Sequence, residues 1–331
     1  MIEGVACARA GLLGNPSDNC FGKILAVAVG DFSARVSLEE SDRLAIFSPA
    51  EDQDDYASYA EFIDHNRLYG YDGGVRLLKA LLRVFWGYCR ERNIKVPDRN
   101  FTLRYGSTIP RQVGLGGSSA LITAGLRALM SFSGVGIPLE VQPTLVLNAE
   151  QEELGINAGF MDRVVQVYEG CVYMDLDKEH VLTHGHGRYE RLDPALLPPL
   201  YLAYRPDAAK VSGRVLSGFR SRYDQGDPFV VAAMGRLAEL AALGKEALLT
   251  GQREQLFDYM NENFDIRRTI MDIRPADLEM IEAARACGAA AKFAGSGGSI
   301  VGMYSGEDMY EKVRAALGRL GAVVLKPRIK T

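Results

Sequence analysis

Pro110-Arg111-Gln112-Val113-Gly114-Leu115-Gly116-Gly117-Ser118-Ser119-Ala120 is the stretch on which the fold turns. Glycine takes positive φ and lets a backbone approach a ligand with no Cβ in the way, so consecutive amides can converge on an anion. The residues that follow, Ala120 to Phe132, are Ala, Leu, Ile and Met-rich and apolar on nearly every side, as a buried helix requires. The first amides of such a helix are unpaired and its dipole is positive there, which favours bound phosphate. Gly-Ser clusters also serve as linkers. Here Phe101 to Ile109 precedes the cluster as a strand-like run with Thr, Leu, Tyr and Ile, making it a strand-to-helix turn. No Lys-Ser or Lys-Thr closes it as a P-loop, and its glycine spacing misses the dinucleotide fingerprint. A different nucleotide fold is required.

The chain has 331 residues, more than one usual core, and 47% hydrophobic residues supply two. A net charge of -4 and a pI near 5.7 argue against a nucleic-acid-binding surface and favour small ligands. Met1 to Ala10 lacks a basic region followed by a long apolar core, and no window is apolar for long enough to span a bilayer. The expectation is a cytoplasmic protein without membrane or nucleic-acid partners. Cys7, Cys20, Cys89, Cys171 and Cys287 form no Cys-x-x-Cys pair, which argues against structural zinc and a disulfide framework. His184 and His186 read as a solvated turn, and the acidic run Glu51 to Asp55 as a solvated loop.

Outward from the glycine run, residues 4–13 and 24–38 read as strands around a turn at Asn15-Pro16-Ser17-Asp18. Residues 72–92 and 138–154 read as helices, the second with Pro138 near its start and Gly155 just past its end, and 171–176 as a strand. Pro194, Pro198 and Pro199 mark the lobe junction, giving lobes 1–195 and 196–331. Beyond it come strand 200–204, helices near 228–249, 253–270 and 277–287, strands 288–294 and 299–304, helix 306–319 and strand 321–326. That mixture predicts α+β lobes, not a regularly alternating parallel sheet.

Two further segments carry chemistry. Ala149 to Asp162 sets carboxylates at a helix end and a lone Asp after a glycine-bearing loop. Glu150 and Ser119 are candidate magnesium ligands, since nucleotide-bound magnesium takes one or two protein ligands and keeps waters. Glu150, Glu152 and Glu153 could equally be a polar helix face. Asp162 sits among Phe160, Met161, Val164 and Val165, where an unpaired carboxylate is costly, so a partner or a function is expected; Arg163 beside it could be a counter-ion. Lys292 to Gly298 forms a second glycine turn, either an ordinary hairpin or a wall of the same nucleotide site.

Taken together, these segments resemble the galactokinase, homoserine, mevalonate and phosphomevalonate (GHMP) kinase superfamily, and within it the glucuronokinases. Arg9 to Asp18 looks like the first family motif, Pro110 to Ala120 the second and Lys292 to Gly298 the third. Gly11 to Asp18, Ile109 to Ala120 with its extra glycine, Gly159 to Asp175 and Asn263-Phe264-Asp265-Ile266-Arg267-Arg268 carry the narrower likeness. The resemblance implies a two-lobed GHMP kinase fold, with a ribosomal protein S5 domain 2-like N-terminal lobe and a ferredoxin-like C-terminal lobe. It also implies ATP and Mg2+, with ATP held by Gly114, Leu115, Gly116, Gly117, Ser118, Ser119, Ala120, Gly295, Gly297 and Gly298. It makes Asp162 the catalytic aspartate, Arg9 the basic residue beside the reacting groups, Glu150 and Ser119 the magnesium ligands, and Asp18 a binder of sugar hydroxyls, with Asn15 in the same loop. Asn15-Pro16 stands where galactokinases carry an acidic-His pair, so galactose-type contacts are not expected there.

The expected activity is phosphorylation of the anomeric hydroxyl of D-glucuronic acid by ATP, giving glucuronate 1-phosphate and ADP. A uronic acid needs a carboxylate partner, and the planar fork of arginine suits one. Arg111, Arg163, Arg267 and Arg268, with Lys210 weaker, are the candidates, and the sequence does not choose among them. The rivals are a kinase for galacturonate or a neutral hexose, and a sugar sensor that kept the fold without catalysis. Oligomeric state and adenine contacts stay open.

Overall fold

A computed structural model describes residues 1–52, 73–206 and 217–331. Lys210 and the end of the acidic run, 53–55, lie outside the described residues. Strands β1 (Ile2–Leu13) and β2 (Lys23–Glu40) form a long antiparallel pair, from Ile2 opposite Leu38 to Leu13 opposite Leu25, with register shifts between Cys7 and Ala8 and between Gly11 and Leu13. From Ala6 to Leu13 every residue of β1 is buried, so this strand is covered on both faces, with Ala6, Ala8, Ala10 and Leu12 in the largest apolar cluster. The turn between the strands is a short 3-10 segment, Ser17–Cys20, after a cis Asn15–Pro16 bond.

β3 (Ala45–Phe47), β4 (Phe101–Ser107), β5 (Cys171–Asp175) and β6 (Arg188–Leu192) complete a six-stranded sheet in the order β3-β4-β2-β5-β6, with β1 on β2. Helices α1 (Gly74–Glu91), α2 (Gly117–Ser133), α3 (Gln142–Gln151) and α4 (Phe160–Tyr168) cover one end of it. α2 packs directly on β1 because Gly4 leaves room: a Cβ there would collide with the Ala124 carbonyl. α5 (Lys178–His184) follows β5 and is capped by Asp177, which accepts from the His180 N–H.

The second sheet holds β7 (Leu200–Tyr204), β8 (Ala290–Phe293), β9 (Ser299–Met303) and β10 (Val323–Leu325), antiparallel throughout in the order β10-β7-β9-β8. With it go α6 (Ser217–Asp224), α7 (Pro228–Leu249), α8 (Gln255–Ile270), α9 (Pro275–Ala286) and α10 (Glu307–Arg319). The second sheet has a core of its own on one face, where Tyr201, Phe293 and Ile300 pack with Met280, Ile281 and Leu317, and it shares the other with the first sheet. Ala241 and Leu248 of α7 and Leu256 of α8 join Leu12, Leu13 and Leu25 in one apolar cluster. The C-terminal residues return to β2, where the Gly30 N–H donates to the Arg328 carbonyl at 2.7 Å.

The mixed α+β class agrees with the sequence, and two local differences have physical causes. The helix expected over 138–154 runs only Gln142–Gln151, because the Pro138 carbonyl is used by the Val141 and Gln142 N–H groups in a preceding turn and Pro143 sets the helical start. Residues 160–168, to which the sequence assigned no element, are helical: Met161, Val164 and Val165 make one apolar face, which packs on Ile24, Ala26 and Ala28 of β2.

Candidate active site

The glycine run forms the turn that the sequence demanded. Gly114 and Gly116 have φ of 69° and 76°, a conformation few other residues hold, and α2 starts at Gly117 with no side chain capping its first amides. Those amides face a cavity of about 490 Å³ lined by Gly114, Leu115, Gly116, Gly117 and Ser118 and by Tyr105 and Arg111 across it. The second glycine turn, between β8 and β9, locks against the first. A Cβ on Gly114 would lie 2.5 Å from the Gly297 carbonyl, and one on Gly298 would lie 2.9 Å from the Val113 Cα. This closes the choice left by the sequence, since the hairpin is also a wall of the site. Its contribution to the larger cavity is Ser296, whereas Gly297 and Gly298 are spent on the contact between the loops. Ala120, fully buried in the core, lies beneath the loop and not at its surface.

Charged side chains cluster where β1, α3 and α4 meet. Arg9 of β1 donates through Nε and Nη2 to the two carboxylate oxygens of Asp162 at 2.6 and 2.7 Å, and through Nη1 to the Gly114 carbonyl at 2.6 Å. Asp162 stands on the first turn of α4. Burial pushes its carboxyl up, but the charges of Arg9 and Arg163 outweigh that and hold it below the ordinary carboxylate range. Arg163 is paired instead with Glu150: its Nε donates at 2.7 Å and its Nη2 also bonds Glu150, while Nη1 donates to the Gly159 carbonyl at 2.8 Å. Gln166, one turn on from Asp162, donates to the Gly116 carbonyl at 2.7 Å and ties α4 to the phosphate loop. Its 3.6-residue spacing from Asp162 and Arg163 on a helix not foreseen is the signal that would have found it.

The magnesium pair needs one correction. Ser119 is fully buried and its hydroxyl turns back to the Gly116 carbonyl at 3.1 Å, as a hydroxyl in the first turn of a helix does. Ser118 is the residue that meets Glu150, donating to it at 2.8 Å. Ser118 Oγ and the Glu150 carboxylate are hard oxygen donors, a set that fits magnesium. Among the described residues no three His, Cys, Asp or Glu side chains converge on a metal ion. His180, His184 and His186 cluster, but the His184 and His186 Nδ1 atoms are engaged with the His180 and Gly187 carbonyls.

A smaller cavity of about 180 Å³ opens on the other side of Asp162. Asn15, Asp18, Arg163 and Arg267 line it, and so does Phe219. Arg9, Ser118, Ile156, Asp162 and Ser296 line both cavities and form their common wall. Asp18 accepts from the Met161 N–H at 3.1 Å, and burial raises its carboxyl above the usual range despite that bond. Asn15 is held by the buried Lys292, whose ammonium also donates to the Gly11 and Phe293 carbonyls at 2.7 and 2.9 Å. Asn263 fixes the same loop, accepting from the Gly14 N–H at 2.6 Å and donating to the Asn15 carbonyl at 3.2 Å. Arg111 is not in this cavity. It lines the larger one, where it pairs with Asp52 at 2.7 Å, so it is corrected from a sugar contact to the other pocket. Arg268 faces solvent.

Two cavities of different size thus share a wall that carries an ionised aspartate, an arginine and a helix N-terminus. Such a wall can bring an anionic group from one side to a hydroxyl on the other and stabilise charge that moves between them.

Comparison with known proteins gives the same reading. Residues 77–170 match the model of the GHMP kinases N terminal domain, and residues 245–322 that of the GHMP kinases C terminal. Glucuronokinase 1 of Arabidopsis thaliana is 45% identical over 91% of this chain and 84% of its own length, and the probable glucuronokinase 2 of the same plant is 46% identical over the same shares. The fold is similar to that of the Streptococcus pneumoniae phosphomevalonate kinase in complex with phosphomevalonate and AMPPNP, with a TM-score of 0.75 at 16% identity and full coverage of both chains.

Proposed function

This chain belongs to the GHMP kinases, and from that membership we propose that it is an ATP-dependent sugar 1-kinase that converts D-glucuronic acid to glucuronate 1-phosphate. The observation that carries the proposal is the shared wall: the larger cavity fits a nucleotide, the smaller one a single sugar ring, and Asp162 with Arg9 stands between them. The likeness to the Arabidopsis glucuronokinases over most of the chain supports the choice of sugar.

The chain's residues divide the work. Amides of Gly114 to Ser118 and the α2 N-terminus hold the β- and γ-phosphates, and the Gly116 carbonyl is kept out of the way by Gln166. Asp162 receives the hydrogen bond of the anomeric hydroxyl. Held below the usual range, it is a weak base, so it orients the hydroxyl first and takes its proton only as the new bond forms. The anomeric oxygen bonds to the γ-phosphorus, the bond from that phosphorus to the β–γ bridging oxygen breaks, and ADP leaves. Arg9, already fixed on Asp162 and Gly114, faces the charge of the transferring group. Magnesium, when bound with the nucleotide, neutralises phosphate charge, and Ser118 and Glu150 are the residues placed to hold it.

The lobe boundary is proposed near residue 195, between the end of β6 at Leu192 and the start of β7 at Leu200. A cytoplasmic setting fits five free cysteines, four of them buried. No helix among the described residues is long and apolar enough to cross a membrane.

A coupled ADP-release assay over uronic acids and hexoses tests the proposal. ADP formation with glucuronate, and a phosphate on C1 of the product, is the expected result. Tight sugar binding with no ADP from any sugar would identify a sensor and overturn it; faster turnover of galacturonate or a neutral hexose would reassign the substrate.

A further inference from the structure

The small cavity holds three arginines, and their hydrogen bonds set them apart. Arg9 spends its guanidinium on Asp162 and the Gly114 carbonyl, and Arg163 spends its own on Glu150 and the Gly159 carbonyl. Each is a buried pair whose charges cancel. Arg267 of α8 differs. It is 1% exposed, its Nη1 donates to the Gly295 carbonyl at 2.7 Å, and Nε and Nη2 have no partner among the described residues. Asp18 and Asp277 act on it through space, yet neither forms an ion pair with it. The Phe293 ring lies 5.0 Å from its guanidinium carbon and fixes its plane. A buried guanidinium with two idle donors is costly unless something anionic arrives.

Position selects the anion. Arg267 lines the smaller cavity and not the larger one, whereas Arg9 lines both. Arg9 pairs with Asp162 and Arg163 with Glu150, which leaves Arg267 and Asp18 as the remaining charged side chains of this cavity, with no ion pair between them among the described residues. Asp18 lines the same cavity, and its carboxylate accepts from the Met161 N–H and not from the Arg267 guanidinium. The idle pair Nε and Nη2 has the fork spacing that matches the two oxygens of a carboxylate.

We propose that Arg267 is the specificity-determining receptor for the carboxylate of the acceptor sugar, gripping it through Nε and Nη2 while Gly295 and Phe293 hold the guanidinium in place. The inference rests on the proposed uronic acid kinase activity and names the residue that makes the acceptor anionic.

The test compares kcat/KM for glucuronate with that for glucose in wild-type enzyme, Arg267→Met and Arg267→Lys, with melting temperature and nucleotide affinity measured on each. In Arg267→Met the preference for glucuronate collapses by ~100-fold or more, mostly through KM. Arg267→Lys, which keeps the charge and loses the fork, collapses it by ~10-fold, and it decides the matter if the Met variant does not fold. Loss of both sugars in proportion, with the preference intact, would overturn the inference and place Arg267 on the transferring phosphoryl group or in the fold. Failure of the underlying activity reads differently: wild-type enzyme then releases no ADP with any uronic acid, and glucuronate-induced thermal stabilisation of wild type against Arg267→Lys still tests the binding role.

Discussion

One wall of the larger cavity is glycine backbone, whereas the smaller cavity is lined mainly by polar and charged side chains, although the two share the Arg9–Asp162 wall. On the nucleotide side Gly114, Gly116 and Gly117 present amides along one continuous turn, and the second glycine loop buttresses them. On the acceptor side Asp18, Asn15, Arg163 and Arg267 come from three elements far apart in the chain and are buried charges or amides. Backbone amides suit an invariant group such as phosphate, because nothing about them needs to change between substrates. Buried ionised side chains suit discrimination, since a mismatch leaves one of them unpaired.

The strongest test of this division is Asp162→Asn, on the shared wall. The substitution keeps the shape and removes the acceptor of the hydroxyl proton, so turnover should fall ~100-fold or more while nucleotide affinity changes little. Single-turnover kinetics with a fluorescent nucleotide separates the two quantities. Near-normal turnover would mean that the wall is structural and that the cavities do not meet in a reaction.

A smaller effect separates the two adjacent hydroxyls. Ser118→Ala removes the group that reaches Glu150 at the wall, and kcat should drop ~10-fold or more with a higher magnesium requirement. Ser119→Ala should cost ~3-fold or less. The Gly116 carbonyl that Ser119 serves keeps the Ala120 N–H at 3.0 Å and Gln166 at 2.7 Å. The reverse ranking of the two in a magnesium titration would restore Ser119 as the ligand and break the picture of a buried, structural hydroxyl.

The same contrast explains what was legible in the chain. The phosphate loop was readable because strand, glycines, hydroxyls and helix are contiguous, and its anion-binding logic is local. Which serine points outward was not, because it depends on whether α2 begins at Gly117 or a residue later, and helix ends are poorly fixed by sequence. The acceptor pocket was readable only as a list of basic residues. Arg267 and Arg268 are neighbours, and the helix turns one inward and one to solvent. A signal was present: Asn263, Phe264, Arg267 and Ile270 are buried at the spacing of one helix face, which puts Arg267 among core positions. Asp162 was legible from the cost of burying a carboxylate, whereas its bidentate bond to Arg9, 153 residues away, is tertiary information.

The mildest prediction concerns Asp18, where acceptor recognition and stability oppose each other. Burial lifts this carboxyl above its ordinary range; the Met161 N–H opposes the lift and the charge of Asp162 adds to it. In the unfolded chain the group ionises around 3.8, the ordinary value for an aspartate. Folding therefore disfavours the ionised form, and Asp18 costs stability at neutral pH. The cost vanishes below the unfolded value, where both states are protonated, grows as pH rises past it, and levels off above the raised folded value. Asp18→Asn should raise the melting temperature at pH 7 by roughly 1–3 °C, a gain that shrinks as pH is lowered toward 4. It should also raise KM for the sugar by ~10-fold, because the amide replaces one of the two carboxyl oxygens with an NH2 donor and so loses an acceptor for a sugar hydroxyl. Thermal unfolding across that pH range together with sugar saturation curves measures both. A lower melting temperature at pH 7 would mean that Asp18 is a stabilising, well-paired charge, and that acceptor recognition and stability do not oppose each other there.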